Sequence, residues 1–314
     1  MSIFVSFPTM HDPEVLNTIN GIYSLSKNPQ DIYVSIFNLY THDSEYERLK
    51  HFQNHKNVIV QNQLFDMDNI WEFAGPSKSR IKAFSKYNGE DYILQIDSHT
   101  KFTPNWDDRL VELFNESEDI TDKPIITSFL GFYDDGLDIF TSGSMKYPFY
   151  YDCDCEKCLQ ADDHHPLPLV DIKQSLLESD QTLLNKFYPS PRYCTQFGFS
   201  KYNFIEDQIP DPIDSFEDIY QSIELHNKGY SFVYPNINKD FMAHSWQSTK
   251  RAKWSDVFGE DNLELQKQKG IDYWYNYLAN NHDKVQKYCD YANLYIDNNT
   301  LKIDKEYTIP KGYK

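Results

Sequence analysis

The chain has 314 residues, enough to bury a sizeable core as one large α/β domain with additions or as two modest domains. Its 48 acidic residues against 30 Lys plus Arg give a formal net charge of -18, which excludes a general electrostatic attraction to nucleic acid or anionic lipid but not a local basic groove. No run reaches the roughly 18 to 20 apolar residues of a membrane span, and the opening "MSIFVSFPTM" lacks a basic leader, so a soluble, cytoplasmic protein without a membrane partner is expected.

From the start of the chain, strand-like and helix-like segments alternate: "IFVSF" at 3–7, a helical pattern from Pro13 to Lys27, "IYVSIF" at 32–37, a helix near 43–53 and "NVIVQ" at 57–61. In the first helix Val15, Ile19, Ile22 and Leu25 share one face, which reads as core, and Pro13 fits the first helical turn. Then come a helix at 77–87, a strand at 91–96, a helix at 106–116 and a strand at 124–130. This alternation predicts an α/β fold with a doubly wound, mostly parallel, Rossmann-like central sheet.

Residues 131–200 read as a loop-rich insertion with little regular structure, a candidate acceptor region. A helix at 216–228 and a strand at 230–235 follow. The predicted division is a catalytic domain at 1–250 and a helical extension with a tail at 251–314, its helical stretch interrupted near Gly270 and "DNNTLKI" forming a turn. Aromatic residues are plentiful, with 24 Tyr and 21 Phe, and serve both ordinary core and sugar or base binding.

Cys153, Cys155 and Cys158 crowd into "CDCEKC", a poor pattern for a disulfide framework. With His165 or His164, and Cys194 as an alternative fourth ligand, they offer a structural Zn2+ site; free thiols in a loop are the competing reading.

"YILQIDSHTKF", residues 92–102, carries the chemistry: an apolar strand ends abruptly in Asp97, Ser98 and His99. In an extended backbone residues i and i+2 point to one side, so Asp97 and His99 can aim at one point beyond the strand, at the sheet edge where α/β proteins bind ligands. A carboxylate with an imidazole suits Mn2+, or Mg2+, with positions left open for substrate oxygens. His244, in "DFMAHSW", is the candidate third ligand. Set against this are a surface turn for Asp97 to His99 and an ordinary core histidine for His244. An ion held by the three residues would neutralise a departing nucleoside diphosphate, the chemistry of sugar transfer from a nucleotide sugar.

Four stretches together resemble the cytoplasmic polypeptide N-acetylglucosaminyltransferase family: "IFVSFPTMHDPEVLNTI" at 3–19, "GEDYILQIDSHTKFTPNWDDRLV" at 89–111, "FEDIYQSIELHNKGYSFVYPN" at 216–236 and "MAHSW" at 242–246. The resemblance implies a GT-A fold, an Asp-x-His motif, and a metal-dependent glycosyltransferase moving a sugar from a UDP-sugar such as UDP-GlcNAc to an acceptor hydroxyl with retention. It implies that Asp97 and His99 bind the metal and the nucleotide diphosphate, that His244 completes the metal site, and that Glu217 and Asp218 face the sugar or acceptor. Where the family has Gly-Glu-Glu, this chain has Phe216, Glu217 and Asp218. Arg80 matches a basic position and is a candidate diphosphate contact, against a solvated basic helix face with Lys78 and Lys82. Asp12 stands where such enzymes receive the nucleoside base, against a plain helix cap. The expected acceptor is a protein side chain. The alternatives are a hydroxymethylated DNA base of the phage type, with "STKRAK" at 248–253 as a basic patch, and a non-catalytic sugar or nucleotide-sugar binding module.

Overall fold

A computed structural model of the chain describes residues 1–65, 76–133, 140–142, 149–151, 169–171, 187–209, 217–235, 242–245 and 259–303. Strands β1 (Ile3–Met10), β2 (Ile32–Tyr40) and β3 (Val58–Leu64) and helices α1 (Val15–Ser24) and α2 (Asp43–Lys50) follow the expected alternation. Helix α3 (Pro76–Phe84), strands β4 (Tyr92–Ile96) and β5 (Thr100–Phe102), helix α4 (Trp106–Ser117) and strand β6 (Pro124–Thr127) continue it. The region 131–200 contributes β7 (Gly131–Tyr133), β8 (Phe140–Ser142), β9 (Phe149–Tyr151), β10 (Leu169–Asp171), β11 (Phe187–Pro189) and β12 (Phe197–Ser200). Helix α5 (Glu217–Asn227), strands β13 (Ser231–Pro235) and β14 (Met242–His244), helix α6 (Glu260–Ala292) and strands β15 (Leu294–Asp297) and β16 (Thr300–Ile303) complete it.

The central sheet has eight strands in the order β11-β13-β6-β12-β4-β1-β2-β3. Strands β1, β2, β3 and β4 run parallel, and β13 is parallel to β6. Strand β12 runs antiparallel between β4 and β6, which leaves those two strands pointing the same way. The expected mostly parallel sheet is found, but two segments of the supposed loop region join it, β11 at its edge and β12 at its centre. Four residues, Phe197 to Ser200, are too few to show a period, although all four are buried.

Helix α1 buries Val15, Thr18, Ile19 and Ile22 at helical spacing, and with Trp106, Leu110 and Phe114 of α4 it covers one sheet face. Pro13 lies before the helix rather than in its first turn, since Glu14 is the cap. The other face packs on Phe84, on Ile219, Tyr220 and Ile223 of α5, and on Trp274, Tyr277 and Tyr288 of α6.

A second sheet, in the order β5-β14-β7-β8, stands beyond the end of β4. The chain therefore leaves the main sheet at Ile96 and enters the second at Thr100, and residues 97–99 are the link between them.

Candidate metal centre

Sequence alternation predicted that Asp97 and His99 converge because an extended chain alternates. They converge by another route: Ser98 and His99 form a turn, closed by the Thr100 hydroxyl donating to the Asp97 carbonyl (2.8 Å). The turn is pinned from several elements. Thr18 of α1 donates from Oγ1 to the Ser98 carbonyl (2.7 Å), and the Thr100 N–H donates back to Thr18 Oγ1 (3.0 Å). The Tyr133 hydroxyl and the Ser245 N–H both donate to the His99 carbonyl, at 3.0 and 3.2 Å.

The second sheet delivers His244. In the antiparallel pairing of β14 with β5 it lies across from Thr100, so a separation of 144 positions collapses to one ladder rung. His244 Nε2 lies 3.0 Å from Asp97 Oδ2, and the His99 and His244 ring centroids are 4.4 Å apart. Among the described residues, Asp97, His99 and His244 form the group that offers three metal-ligand atoms, all within 4.8 Å of one another. One divalent ion holding ligands at about 2.0–2.4 Å spans such a set, and two imidazoles with one carboxylate leave other positions for substrate oxygens.

Asp12 supports the site from the edge of β1. Its Oδ2 accepts from the Ser98 hydroxyl (2.6 Å) and lies 2.7 Å from His99 Nδ1, while Oδ1 accepts the Glu14 N–H (2.9 Å). Burial pushes the Asp12 carboxyl up, but His99 and the Ser98 and Glu14 donors outweigh it and hold the group below its ordinary value. A neutral imidazole donating from Nδ1 keeps its lone pair on Nε2, the arrangement a metal ligand needs. Asp12 thus both holds the turn between β1 and α1 through the Glu14 N–H and braces His99.

Arg80, on α3, is buried rather than on a solvated face. It donates to Asp97 Oδ1 (2.7 Å) and to Glu217 Oε1 (2.5 Å), joining α3, the β4 turn and the first turn of α5. Burial raises the Asp97 carboxyl, yet Arg80, His244 and His99 together hold it far below the carboxylate range. Glu217 moves the other way, because burial outweighs Arg80 and Thr195. Asp218 pairs with Arg192 and accepts from the Thr195 hydroxyl (2.5 Å), which also donates to Glu217 (2.7 Å).

Sequence reading did not find Arg192, Thr195 or Thr18. The first two stand in "PRYCTQ", whose place beside Glu217 depends on β12 entering the sheet, and Thr18 carries no signal of its own beside the apolar face of Val15, Ile19 and Ile22. Cys153, Cys155, Cys158, His164, His165 and the patch at 248–253 lie outside the described residues. Cys194 is buried, and burial pushes its thiol up to about 11, which disfavours the thiolate a zinc ion binds. No helix among the described residues is long and apolar enough to cross a membrane.

Comparison with curated proteins gives no match. Among solved structures, a crystal structure of GalNAc-T7 with UDP, GalNAc and Mn2+ is similar at a TM-score of 0.50 and 13% identity, covering 85% of this chain and 48% of that one. The likeness is one of fold, so the central sheet and its helices are those of a GT-A glycosyltransferase, and this chain spans about half the length of that neighbour. The model of the family described as "Glycosyltransferase (GlcNAc)" matches residues 37–310, most of the chain, and the protein belongs to that glycosyltransferase family.

Proposed function

We propose that this glycosyltransferase moves a sugar, GlcNAc in the first instance, from a UDP-sugar to the hydroxyl of a protein side chain, with retention and with Mn2+ or Mg2+ held by Asp97, His99 and His244. One observation carries the reading: three ligands suited to such an ion, a carboxylate and two imidazoles from distant parts of the chain, meet within 4.8 Å at the end of a central strand. The family supports sugar transfer, and the stretches shared with the cytoplasmic polypeptide N-acetylglucosaminyltransferases support a cytoplasmic protein acceptor. The ion, when bound, supplies positive charge that stabilises the departing diphosphate.

The chain's own residues do the rest. Asp12 braces His99, and Arg80 neutralises Asp97 and Glu217 and stands ready for the diphosphate. Glu217 and Asp218, held by arginines and Thr195, steady the sugar or orient the acceptor hydroxyl and do not act as a conventional base. The bond from C1 to the phosphate oxygen breaks, a bond from C1 to the acceptor oxygen forms on the same face, and the acceptor proton leaves with the phosphate.

The test is UDP release from UDP-GlcNAc, UDP-GalNAc, UDP-glucose and UDP-galactose, with Mn2+ and with EDTA. Release with one donor, abolished by EDTA and lowered about 100-fold or more by Asp97→Ala, His99→Ala and His244→Ala, is expected. Release that persists in EDTA and in all three variants refutes the metal-centred reading.

A further inference from the structure

We infer that Gln196 is a specificity-determining residue of the donor site, recognising a hydrogen-bonding pair on the transferred sugar, an inference that rests on the nucleotide-sugar reading. Gln196 is 7% exposed, and neither its amide oxygen nor its amide nitrogen has a hydrogen-bond partner among the described residues. A primary amide can make several hydrogen bonds, and one buried with none is costly, so such a group in a native fold calls for a partner that arrives from outside.

Its address supplies that partner. Gln196 immediately precedes β12, whose last pairs are Phe197 with Ile96 of β4 and Gly198 with Thr127 of β6. It stands in a turn closed by the Phe197 N–H donating to the Cys194 carbonyl (3.1 Å), and that turn enters β12 at the carboxyl ends of β4 and β6, the edge where open α/β sheets take ligands.

The neighbours are committed to each other. Thr195 bonds Glu217 and Asp218, and its carbonyl accepts from Gln95 Nε2 at 2.5 Å. Arg80 joins Asp97 to Glu217. The amide is thus a neutral donor and acceptor next in the chain to Thr195, which belongs to the rigid charged frame of Glu217, Asp218 and Arg80. That is the equipment for reading sugar hydroxyls or an acetamido group, which present a donor and an acceptor side by side, and not for binding a phosphate, which accepts only.

The experiment measures the binding of UDP, UDP-GlcNAc, UDP-GalNAc, UDP-glucose and UDP-galactose by calorimetry, with Mn2+, to the native chain, Gln196→Leu and Gln196→Asn. Gln196→Leu is expected to bind UDP within about twofold of native but its preferred UDP-sugar about tenfold or more weakly. A loss confined to the N-acetyl sugars assigns the acetamido group, and a loss shared with UDP-glucose assigns a hydroxyl. Gln196→Asn, which keeps the amide one methylene short, is expected to fall between. Gln196→Leu should unfold at the native temperature or above, since it removes a buried group without partners. Unchanged sugar-nucleotide affinity, an equal loss of UDP and UDP-sugar, or a lowered unfolding temperature overturns the role of Gln196 alone. Failure of the native chain to bind any of the five overturns the nucleotide-sugar reading and this inference with it.

Discussion

Asp12 shows how much a single carboxylate does at the residue scale. It closes the turn after β1 through the Glu14 N–H and also meets Ser98 and His99, so helix entry and the candidate metal centre share one side chain. Asp12→Asn keeps the volume and an acceptor for Glu14 but removes the charge that holds His99. Mn2+ affinity, titrated with UDP present, is expected to fall about 10–100-fold with little change in thermal unfolding. Equal affinity in the variant would mean that His99 orients itself without help. From the sequence, Asp97 and His99 are legible because an apolar strand ends on them. The contact between Asp12 and His99 is not, since it crosses 87 positions and local capping already accounts for an Asp before a helix.

At the scale of elements the second sheet and β12 assemble the site, and both are built from strands of three or four residues. Such strands take their conformation from their partners, so neither period nor propensity marks them in advance. Gly198, in β12, is a direct probe. A Cβ there would stand 2.7 Å from the ring of Tyr193, which is itself fully buried. Gly198→Ala is expected to cost about 1–3 kcal/mol in denaturant unfolding and to lower sugar transfer by more than that loss explains. The displaced ring belongs to the segment that carries Arg192 and Thr195. A variant as stable and active as native would show that Tyr193 yields freely. Where turn chemistry gives a local signal, the prediction holds: the hairpin of β15 and β16 turns through Asn298 and Asn299, both at positive φ. The break in the C-terminal helix falls at Asn281 instead of Gly270, because Gly270 is buried within regular helix while Asn281 takes a non-helical backbone.

Across the whole molecule, α6 shares a core with α5 and the sheet through Trp274, Tyr277 and Tyr288. His226, at the end of α5, stacks on Tyr291 of α6 with centroids 4.3 Å apart. Burial, aided by Lys287, lowers its pKa from 6.5 to about 4. The folded chain therefore favours the neutral imidazole, while the unfolded chain takes up a proton near pH 6.5. Stability from this group is complete above about pH 6.5 and is lost as pH falls toward 4, by on the order of 1–2 kcal/mol once its partial exposure is allowed for. His226→Gln should lose less stability than native between pH 7.5 and 4.5 in urea unfolding, and an identical loss would remove His226 as the cause. The sequence by itself determined the mostly parallel alternation of strands with flanking helices and singled out Asp97, His99 and His244 as candidate metal ligands, because long apolar periods and an abrupt polar strand end are local signals. Tertiary structure alone decided that β12 enters the sheet, that His244 reaches His99 across a ladder and that Asp12, Arg80 and Thr195 frame the site. Those contacts join residues far apart in the chain, and their energy appears only when the backbone has already brought them together.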